Sequence, residues 1–178
     1  KFVDHTHADA VVTITNTANG AERINEIYGE SVVIIPYVMP GFDLAKEVVK
    51  IFSEQSSEKT EGMILMNHGI FTFGNSAKES YDRMIKLVSK AEDYLMTHSA
   101  WDIKISEIPE THSIQVSEIA ELRQKVSKVA GKPMLLHITN SKSGLSFSNN
   151  KHVQSIATRG PLTPDHVIRT KRIPMIGR

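Results

Sequence analysis

Three histidines, His5, His7 and His68, have the residue type and spacing of a metal site. His5 and His7 form an H-x-H pair, and if that stretch is a β-strand, its two-residue side-chain period places both imidazoles on one face. His68 ends the apolar run 62–67, which is typical of a buried strand. Three neutral imidazoles with an open fourth position are the ligand arrangement of catalytic zinc, which can act as a Lewis acid.

A simpler interpretation of the same histidines stays open, because the chain contains eight of them. An H-x-H pair can arise by chance, and a histidine at the end of a strand is often a half-buried polar residue with one hydrogen bond. The metal hypothesis therefore depends on all three residues together. Four other histidines lack ligand spacing, and we expect them to be solvated or locally hydrogen-bonded: His98, His112, His137 and His152.

The composition is that of an ordinary soluble globular protein, with 178 residues, 40% of them hydrophobic and 23% charged. A net charge of +1 gives no dense basic field, so we expect neither nucleic acid nor a membrane surface as a partner. The longest apolar stretches, such as residues 32–35, are far shorter than the ~20 residues of a membrane-spanning helix. The absence of cysteine excludes disulfides and thiolate zinc sites, and it is compatible with the cytoplasmic location that we expect.

The residue pattern predicts helices and strands that alternate around these histidines. Strands are expected at 31–36, 62–67 and 70–73, and helices at 8–17, 21–28 and 44–55, the last with Asp43 as its N-cap. Gly69 is expected to let the backbone turn beside His68. A long helix follows the capping-box sequence 76–79, and its apolar stripe comprises Ala77, Tyr81, Met84, Val88, Ala91 and Leu95.

The character of the sequence changes near Ser106, which divides the chain into a main domain, 1–106, and a small α/β extension, 107–178. Residues 108–111 have the composition of a connector. Residues 134–138 are expected to form one strand, and the polar, serine-rich stretch 140–150 predicts a loop. An amphipathic helix is predicted between the connector and residue 134, and Gly131 ends it. Its apolar residues are Ile119, Leu122, Val126 and Val129.

The order and separation of three segments resemble the class II aldolase/adducin family: residues 4–10 around the H-x-H pair, the loop 36–41, and residues 65–74 before the long helix. The resemblance covers residues 2–96. It implies a three-layer α/β/α domain with a largely antiparallel central sheet, and a homo-oligomer with active sites near subunit interfaces. It also implies that His5, His7 and His68 bind Zn²⁺ or another divalent metal.

The segment 157–171 resembles a narrower group, the bifunctional rhamnulose-1-phosphate aldolase/alcohol dehydrogenase proteins. That resemblance implies cleavage of L-rhamnulose 1-phosphate into dihydroxyacetone phosphate and L-lactaldehyde. NAD is implied only for a dehydrogenase domain, which we expect to be absent because no G-x-G-x-x-G motif is present. The family's acid/base glutamate and phosphate-binding loops precede the matched region. We therefore expect a fragment that lacks the N-terminal part of the fold and is inactive alone.

Four further residues are candidates for catalysis, substrate binding or the orientation of a metal ligand. Tyr28 is a possible counterpart of the tyrosine that the family contributes from a neighbouring subunit, although a partly buried core tyrosine is the simpler interpretation. Asn67 is a candidate substrate-binding residue beside His68. Asp4 and Asp9 flank the H-x-H pair, and we expect them at most to orient an imidazole N–H rather than to replace the missing acid/base.

Two questions stay open at this level. His166 lies among Arg159, Arg169, Lys171 and Arg172, and this basic stretch is either a linker or a contact for an anionic substrate. The reaction is either aldol cleavage or the epimerisation of a sugar phosphate, which related members catalyse on the same fold. A non-enzymatic, adducin-like interaction module is a third possibility, and the retention of all three histidines argues against it.

Overall fold

The structure is a computed structural model and describes residues 1–102, 115–139 and 141–176; the side chains of residues 164 and 165 are not described. Within these ranges, the residues of 1–102 and 159–178 form one compact unit and those of 103–158 form another. The strands are β1 (Phe2–Thr6), β2 (Val32–Ile35), β3 (Gly62–Leu65) and β4 (Gly69–Gly74). The helices of the first unit are α1 (Asp9–Thr15), α2 (Gly20–Tyr28), α3 (Phe42–Gln55), α4 (Ala77–Thr97) and α8 (Pro164–Arg169).

The four strands form one mixed sheet in the order β1-β4-β3-β2. The pairs β1/β4 and β4/β3 are antiparallel, and the pair β3/β2 is parallel. The expectation of a largely antiparallel sheet is therefore confirmed, with one parallel pair. Because β1, β2 and β3 run in the same direction, their carboxyl ends lie at one edge of the sheet, where β4 begins. This edge is where His5, His7 and His68 occur.

Helices cover both faces of the sheet, which confirms the three-layer α/β/α arrangement. Helices α1, α2 and α4 pack on one face, and α3 packs on the other. Each face therefore buries its own set of apolar side chains, as expected for a sheet that is covered on both sides. The first cluster includes Val11, Ile14, Ile24, Ile64, Ile70 and Leu87, and the second includes Val33, Ile35, Leu44, Ile51 and Leu65.

Helix α4 begins as predicted, and three residues of its predicted apolar stripe are buried, namely Met84, Ala91 and Leu95. Ser76 caps it by accepting a hydrogen bond from the Glu79 amide at 3.1 Å. Tyr81, predicted to be buried, is 58% exposed. The buried face instead passes through small Ser80, which lets the helix approach β4 closely enough for Thr72 Oγ1 to donate to the Ser80 carbonyl at 2.9 Å. The buried positions are Ser80, Met84, Leu87, Ala91 and Leu95.

Helix α3 begins one residue before the predicted N-cap. Gly41 occupies the N-cap position and Asp43 lies in the first turn, so the prediction that Asp43 caps the helix is wrong. Its carboxylate is favourable there because the helix dipole is positive at the amino end. It also pairs with Lys46 at 2.6 Å, one turn along the exposed face.

The regular elements of the second unit are helices in the ranges that the structure describes. It contains α5 (Val116–Ala130), α6 (Lys142–Ser148) and α7 (Val153–Ala157). Helix α5 ends at Gly131, which has the left-handed conformation (φ 67°), as the sequence predicts. Helix α6 replaces the loop predicted for 140–150 because Ser141 caps it by accepting from the Gly144 amide at 3.1 Å.

The strand predicted at 134–138 is wrong. These residues are not in a strand. A strand needs a neighbouring strand for its backbone groups, and Met134 instead bonds to α5: its amide donates to Ser127 Oγ at 3.0 Å and its carbonyl accepts from Arg123 Nε at 2.9 Å. The extension is therefore helical rather than α/β in the described ranges. The predicted connector and the boundary at 106 lie outside them, so the division 1–106 and 107–178 stays a prediction.

None of the helices that the structure describes is both long enough and apolar enough to cross a membrane.

Candidate metal centre

The sheet topology brings His68 to His5 and His7, which precede it by more than sixty residues in the chain. His5 lies in β1, His7 follows that strand, and His68 lies in the turn between β3 and β4. Pairing of Thr6 with Ile70 and of Leu65 with Gly69 aligns the two regions at the same edge. One ligand nitrogen from each histidine lies within 4.8 Å of the other two.

The backbone of β4 determines which nitrogen His5 presents. Its Nδ1 lies 2.9 Å from the carbonyl oxygen of Ile70. A carbonyl can only accept, so Nδ1 carries the proton and donates it, which leaves the lone pair on Nε2. That Nε2 lies 3.1 Å from Nε2 of His7. The ring is also stacked on Phe71, with centroids 3.9 Å apart and planes 11° from parallel.

His68 is half-buried and favours the neutral state that metal binding requires. Burial, and then charge on His5 and on His7, lower the pKa of His68 below its usual value. Its Nδ1 is buried and has no hydrogen-bond partner among the described residues. A buried ring nitrogen without a partner costs free energy, and a metal ion at this position would supply a partner for one nitrogen of the ring.

The turn that carries His68 forms hydrogen bonds with the neighbouring strands and with the end of α1. The Met66 amide donates to the Ile35 carbonyl at 2.9 Å, and the His68 amide donates to the Leu65 carbonyl at 3.1 Å. Asn67 has the left-handed conformation, with φ at 58°. Its side-chain amide donates to the Thr15 carbonyl at 3.4 Å and to Asn16 Oδ1, both at the end of α1. The described contacts of this amide are therefore with α1, and a substrate-binding role for Asn67 stays a prediction.

Gly69 allows β4 to pass directly under the histidines. A Cβ at this position would lie 2.5 Å from the Thr6 carbonyl oxygen, 3.1 Å from His7 Cδ2 and 3.2 Å from His5 Cε1. The expectation that Gly69 provides the turn is therefore corrected. The left-handed residue of the turn is Asn67, whereas Gly69 is required by close approach.

The donor set fits a borderline divalent ion such as zinc. Tetrahedral zinc with nitrogen ligands at about 2.0–2.1 Å holds those nitrogens about 3.3 Å apart. The His5 and His7 Nε2 atoms, 3.1 Å apart, are already close to this spacing. The cluster contains three histidines and no carboxylate among the described residues, so its ligands are neutral and leave room for a substrate oxygen.

The structure does not bring Tyr28 to this site. Its side chain is 4% exposed and lies in the cluster between the sheet and helices α1, α2 and α4. Its hydroxyl donates to the Leu87 carbonyl at 2.8 Å, and burial raises the pKa of Tyr28 far above its usual value. Tyr28 therefore lies in the core, as the simpler interpretation expected, with its hydroxyl bonded to a buried carbonyl. A catalytic role for Tyr28 stays a prediction.

A different tyrosine lies at the edge of the sheet that carries the histidines. Tyr37 follows the end of β2 by two residues and is 56% exposed. Its position at this edge depends on the parallel pairing of β2 with β3, which a single sequence does not reveal. In the sequence, Tyr37 is marked only by its place in the 36–41 loop, directly after a buried strand.

The flanking carboxylates do not join the cluster. Asp4 pairs with Thr72 across β1 and β4, one residue out of phase with His5, so it faces the opposite side of the sheet. Asp9 is the first residue of α1, where a carboxylate is favourable beside the helix amino end.

Histidines outside the cluster have the local roles that were expected where they are described. His98 Nδ1 lies 2.8 Å from the Tyr94 carbonyl, whereas His137 and His152 are exposed. His112 lies outside the described residues. His166, in α8, has Nδ1 2.8 Å from Thr163 Oγ1. The neighbouring basic side chains at 159, 169, 171 and 172 are exposed, and their role stays open.

Two family matches cover most of the chain. Residues 1–95 match the Class II Aldolase and Adducin N-terminal domain, and residues 113–178 match the second domain of class II aldolases. A relative, the uncharacterized oxidoreductase YuxG of Bacillus subtilis (strain 168), is 30% identical over 182 residues. The match covers 98% of this chain, and the chain spans only 26% of that relative.

Two solved structures are also similar to the chain. The N-terminal class II aldolase domain of a conserved protein from Thermoplasma acidophilum is 47% identical, with a TM-score of 0.48, and the match covers 53% of this chain and 42% of that one. An aldolase II superfamily protein from Pseudomonas syringae is 19% identical, with a TM-score of 0.43, and the match covers 69% of this chain and 47% of that one.

Proposed function

Because the chain belongs to the class II aldolase and adducin family, we propose that it forms the metal-binding part of a lyase that cleaves a ketose 1-phosphate. The proposed substrate is L-rhamnulose 1-phosphate, and the products are dihydroxyacetone phosphate and L-lactaldehyde. The observation that carries the proposal is the convergence of three histidine nitrogens within 4.8 Å. When bound, Zn²⁺ or another divalent ion supplies a Lewis acid that stabilises negative charge on the ketone oxygen of the substrate.

In the proposed site, the residues of this chain bind the metal ion and orient the imidazole rings that hold it. His5, His7 and His68 are the ligands, and their neutrality preserves the positive charge of the ion. The Ile70 carbonyl keeps the His5 proton on Nδ1, so that Nε2 stays available. The Phe71 ring keeps the His5 ring in one plane.

Aldol cleavage also requires a group that moves a proton to or from the substrate. The described cluster contains no carboxylate, and the Tyr28 hydroxyl is committed to the core. We propose that a carboxylate outside this cluster acts as the general acid/base. Residues 1–178 by themselves are then expected to show little aldolase turnover.

We further propose that the complete protein is bifunctional. The Bacillus subtilis relative is named an oxidoreductase, and the chain spans only 26% of that relative. A dehydrogenase elsewhere in the same polypeptide would use NAD, and this chain would not bind NAD itself. We also propose a cytoplasmic homo-oligomer in which this chain binds a small sugar phosphate and the metal, and neither nucleic acid nor a membrane.

The experiment combines metal analysis with substrate turnover in the full-length protein, purified without chelator. We expect close to one divalent ion per chain and zinc-dependent release of dihydroxyacetone phosphate from L-rhamnulose 1-phosphate. His68→Ala should lose both metal and turnover, with an effect larger than the ~10–100-fold caused by removing a partner of a ligand. His152→Ala is the matched control, because this histidine is exposed and outside the cluster.

Three results would contradict parts of the proposal. A metal-free full-length protein in which His68→Ala changes nothing would remove the enzymatic interpretation and favour an adducin-like module. Conversion of a ketose phosphate into its epimer without cleavage would replace the lyase by an epimerase. Turnover of a different ketose phosphate would keep the lyase and change its substrate.

A further inference from the structure

His68 is held between two attachments that use different neighbouring residues. On its carboxyl side, Gly69 and Ile70 begin β4 and pair with Leu65 and Thr6. On its amino side, the Asn67 side chain bonds to the end of α1. The position of the His68 ring therefore depends on both attachments.

The second attachment connects the two halves of the histidine cluster. Helix α1 begins at Asp9, two residues after His7, and ends at Thr15. Asn67 donates to the Thr15 carbonyl at 3.4 Å and to Asn16 Oδ1. The side chain beside one histidine is thus bonded to the helix that follows the other two.

The backbone at Asn67 supports the same role. A φ of 58° is costly for most residues with a side chain, and asparagine tolerates it better than most. This conformation determines the direction in which the chain enters His68. The two hydrogen bonds to α1 satisfy the side-chain amide of Asn67. The backbone and the side chain of Asn67 therefore favour the same turn.

We propose that Asn67, with Asn16 as its acceptor, is a positioning residue that holds His68 against His5 and His7. This inference rests on the proposed metal site. Ligand nitrogens up to 4.8 Å apart must come closer around an ion. A turn that is free to move loses more conformational freedom when it closes, and the affinity for the metal falls.

The test is Asn67→Gly in the full-length protein, with Co²⁺ as the probe. Glycine adopts the left-handed conformation without strain, so the variant is expected to fold while it lacks the side-chain bonds to α1. We expect Co²⁺ to bind about 10-fold more weakly, which is the usual scale for losing a partner that orients a ligand. The visible absorption of bound Co²⁺ should also change, because the geometry of the ligands changes.

Ser99→Gly is the matched control. Ser99 is the other described non-glycine residue with a positive φ, at 51°. It follows the carboxyl end of α4, far along the chain from His5, His7 and His68. Like Asn67→Gly, the Ser99→Gly change removes a side chain at a position with a positive φ. We expect its Co²⁺ affinity and absorption spectrum to equal those of the unaltered protein.

The acceptor is tested separately, with residue 67 unchanged. Asn16→Ala removes the Oδ1 acceptor and is expected to weaken Co²⁺ binding several-fold, whereas Asn16→Asp retains an oxygen there and should bind nearly as well as the unaltered protein. The double variant Asn16→Ala with Asn67→Gly should be no weaker than Asn67→Gly alone, because both changes remove the same bond.

The outcomes separate this inference from the proposed function. If the unaltered protein binds Co²⁺ and Asn67→Gly binds it equally well with the same spectrum, the positioning role is wrong and the metal site stands. Additive losses from the Asn16 and Asn67 changes would also contradict the inference. If the unaltered protein binds no divalent ion, both the metal site and the positioning role fail.

Discussion

Gly69 passes so close to Thr6 that a Cβ on the glycine would lie 2.5 Å from the threonine carbonyl oxygen. The same Cβ would press against the rings of His5 and His7. The close pairing of β1 and β4 and the geometry of the histidine cluster therefore depend on one missing side chain.

The first prediction follows from this contact. Gly69→Ala forces β4 away from β1, and we expect a loss of about 1–3 kcal/mol in the free energy of unfolding, together with a loss of metal binding. Urea unfolding and metal titration measure the two effects. Gly29→Ala is the control: its φ of 51° makes alanine strained, but nothing lies within 4 Å of the added Cβ. It should lower stability and leave metal affinity unchanged, and equal metal loss in both variants would contradict the prediction.

The second prediction concerns the stack between His5 and Phe71. Phe71→Leu removes the flat surface that holds the imidazole plane, so metal affinity should fall several-fold, consistent with the ~0.5–1.5 kcal/mol of an aromatic pair. Phe73→Leu, on the same strand, is the control, because Phe73 contacts the ring of Phe52 instead. Calorimetric titration with Zn²⁺ compares the two, and a larger effect from Phe73→Leu would speak against the role of the stack.

The third prediction is a pH dependence of the metal-free protein. The pKa of His68 in the folded state is lowered from 6.5, so between the two pKa values the unfolded chain binds more protons than the folded one. Stability therefore rises with pH in that window and is lost as pH falls below about 6.5. Urea unfolding at a series of pH values between 7.5 and 5 measures this. His68→Gln should reduce the slope, and an unchanged slope would show that other groups cause it.

The fourth prediction distinguishes a core tyrosine from a catalytic one. Tyr28→Phe leaves the buried Leu87 carbonyl without its 2.8 Å hydrogen bond, so the free energy of unfolding should fall by about 1–3 kcal/mol. Substrate turnover by the full-length protein should be unaffected at temperatures where the variant is folded. A large fall in turnover with unchanged stability would restore Tyr28 as a catalytic candidate.

Local patterns predicted most of the elements correctly because their signals are short-range. The β-branched run before Pro36 became β2, and the Ser76 capping sequence began α4. The two errors have the same cause, because each depends on contacts with residues that are distant in the sequence. The apolar positions of α4 were assigned from spacing alone, yet small Ser80 rather than Tyr81 faces β4, since its size permits the close approach. The isolated strand at 134–138 failed because a strand requires a partner, which the local sequence cannot guarantee.

For the site, the sequence by itself determined the donor types: three imidazoles, two of them in an H-x-H pair, and no thiolates. Only the tertiary structure decided that these residues meet. Antiparallel pairing of β1 with β4 brings His68 to His5, the Ile70 carbonyl selects the His5 nitrogen, and Asn67 bonds to α1. These relations join residues more than fifty positions apart, and a linear pattern carries no information about which distant backbone groups become neighbours.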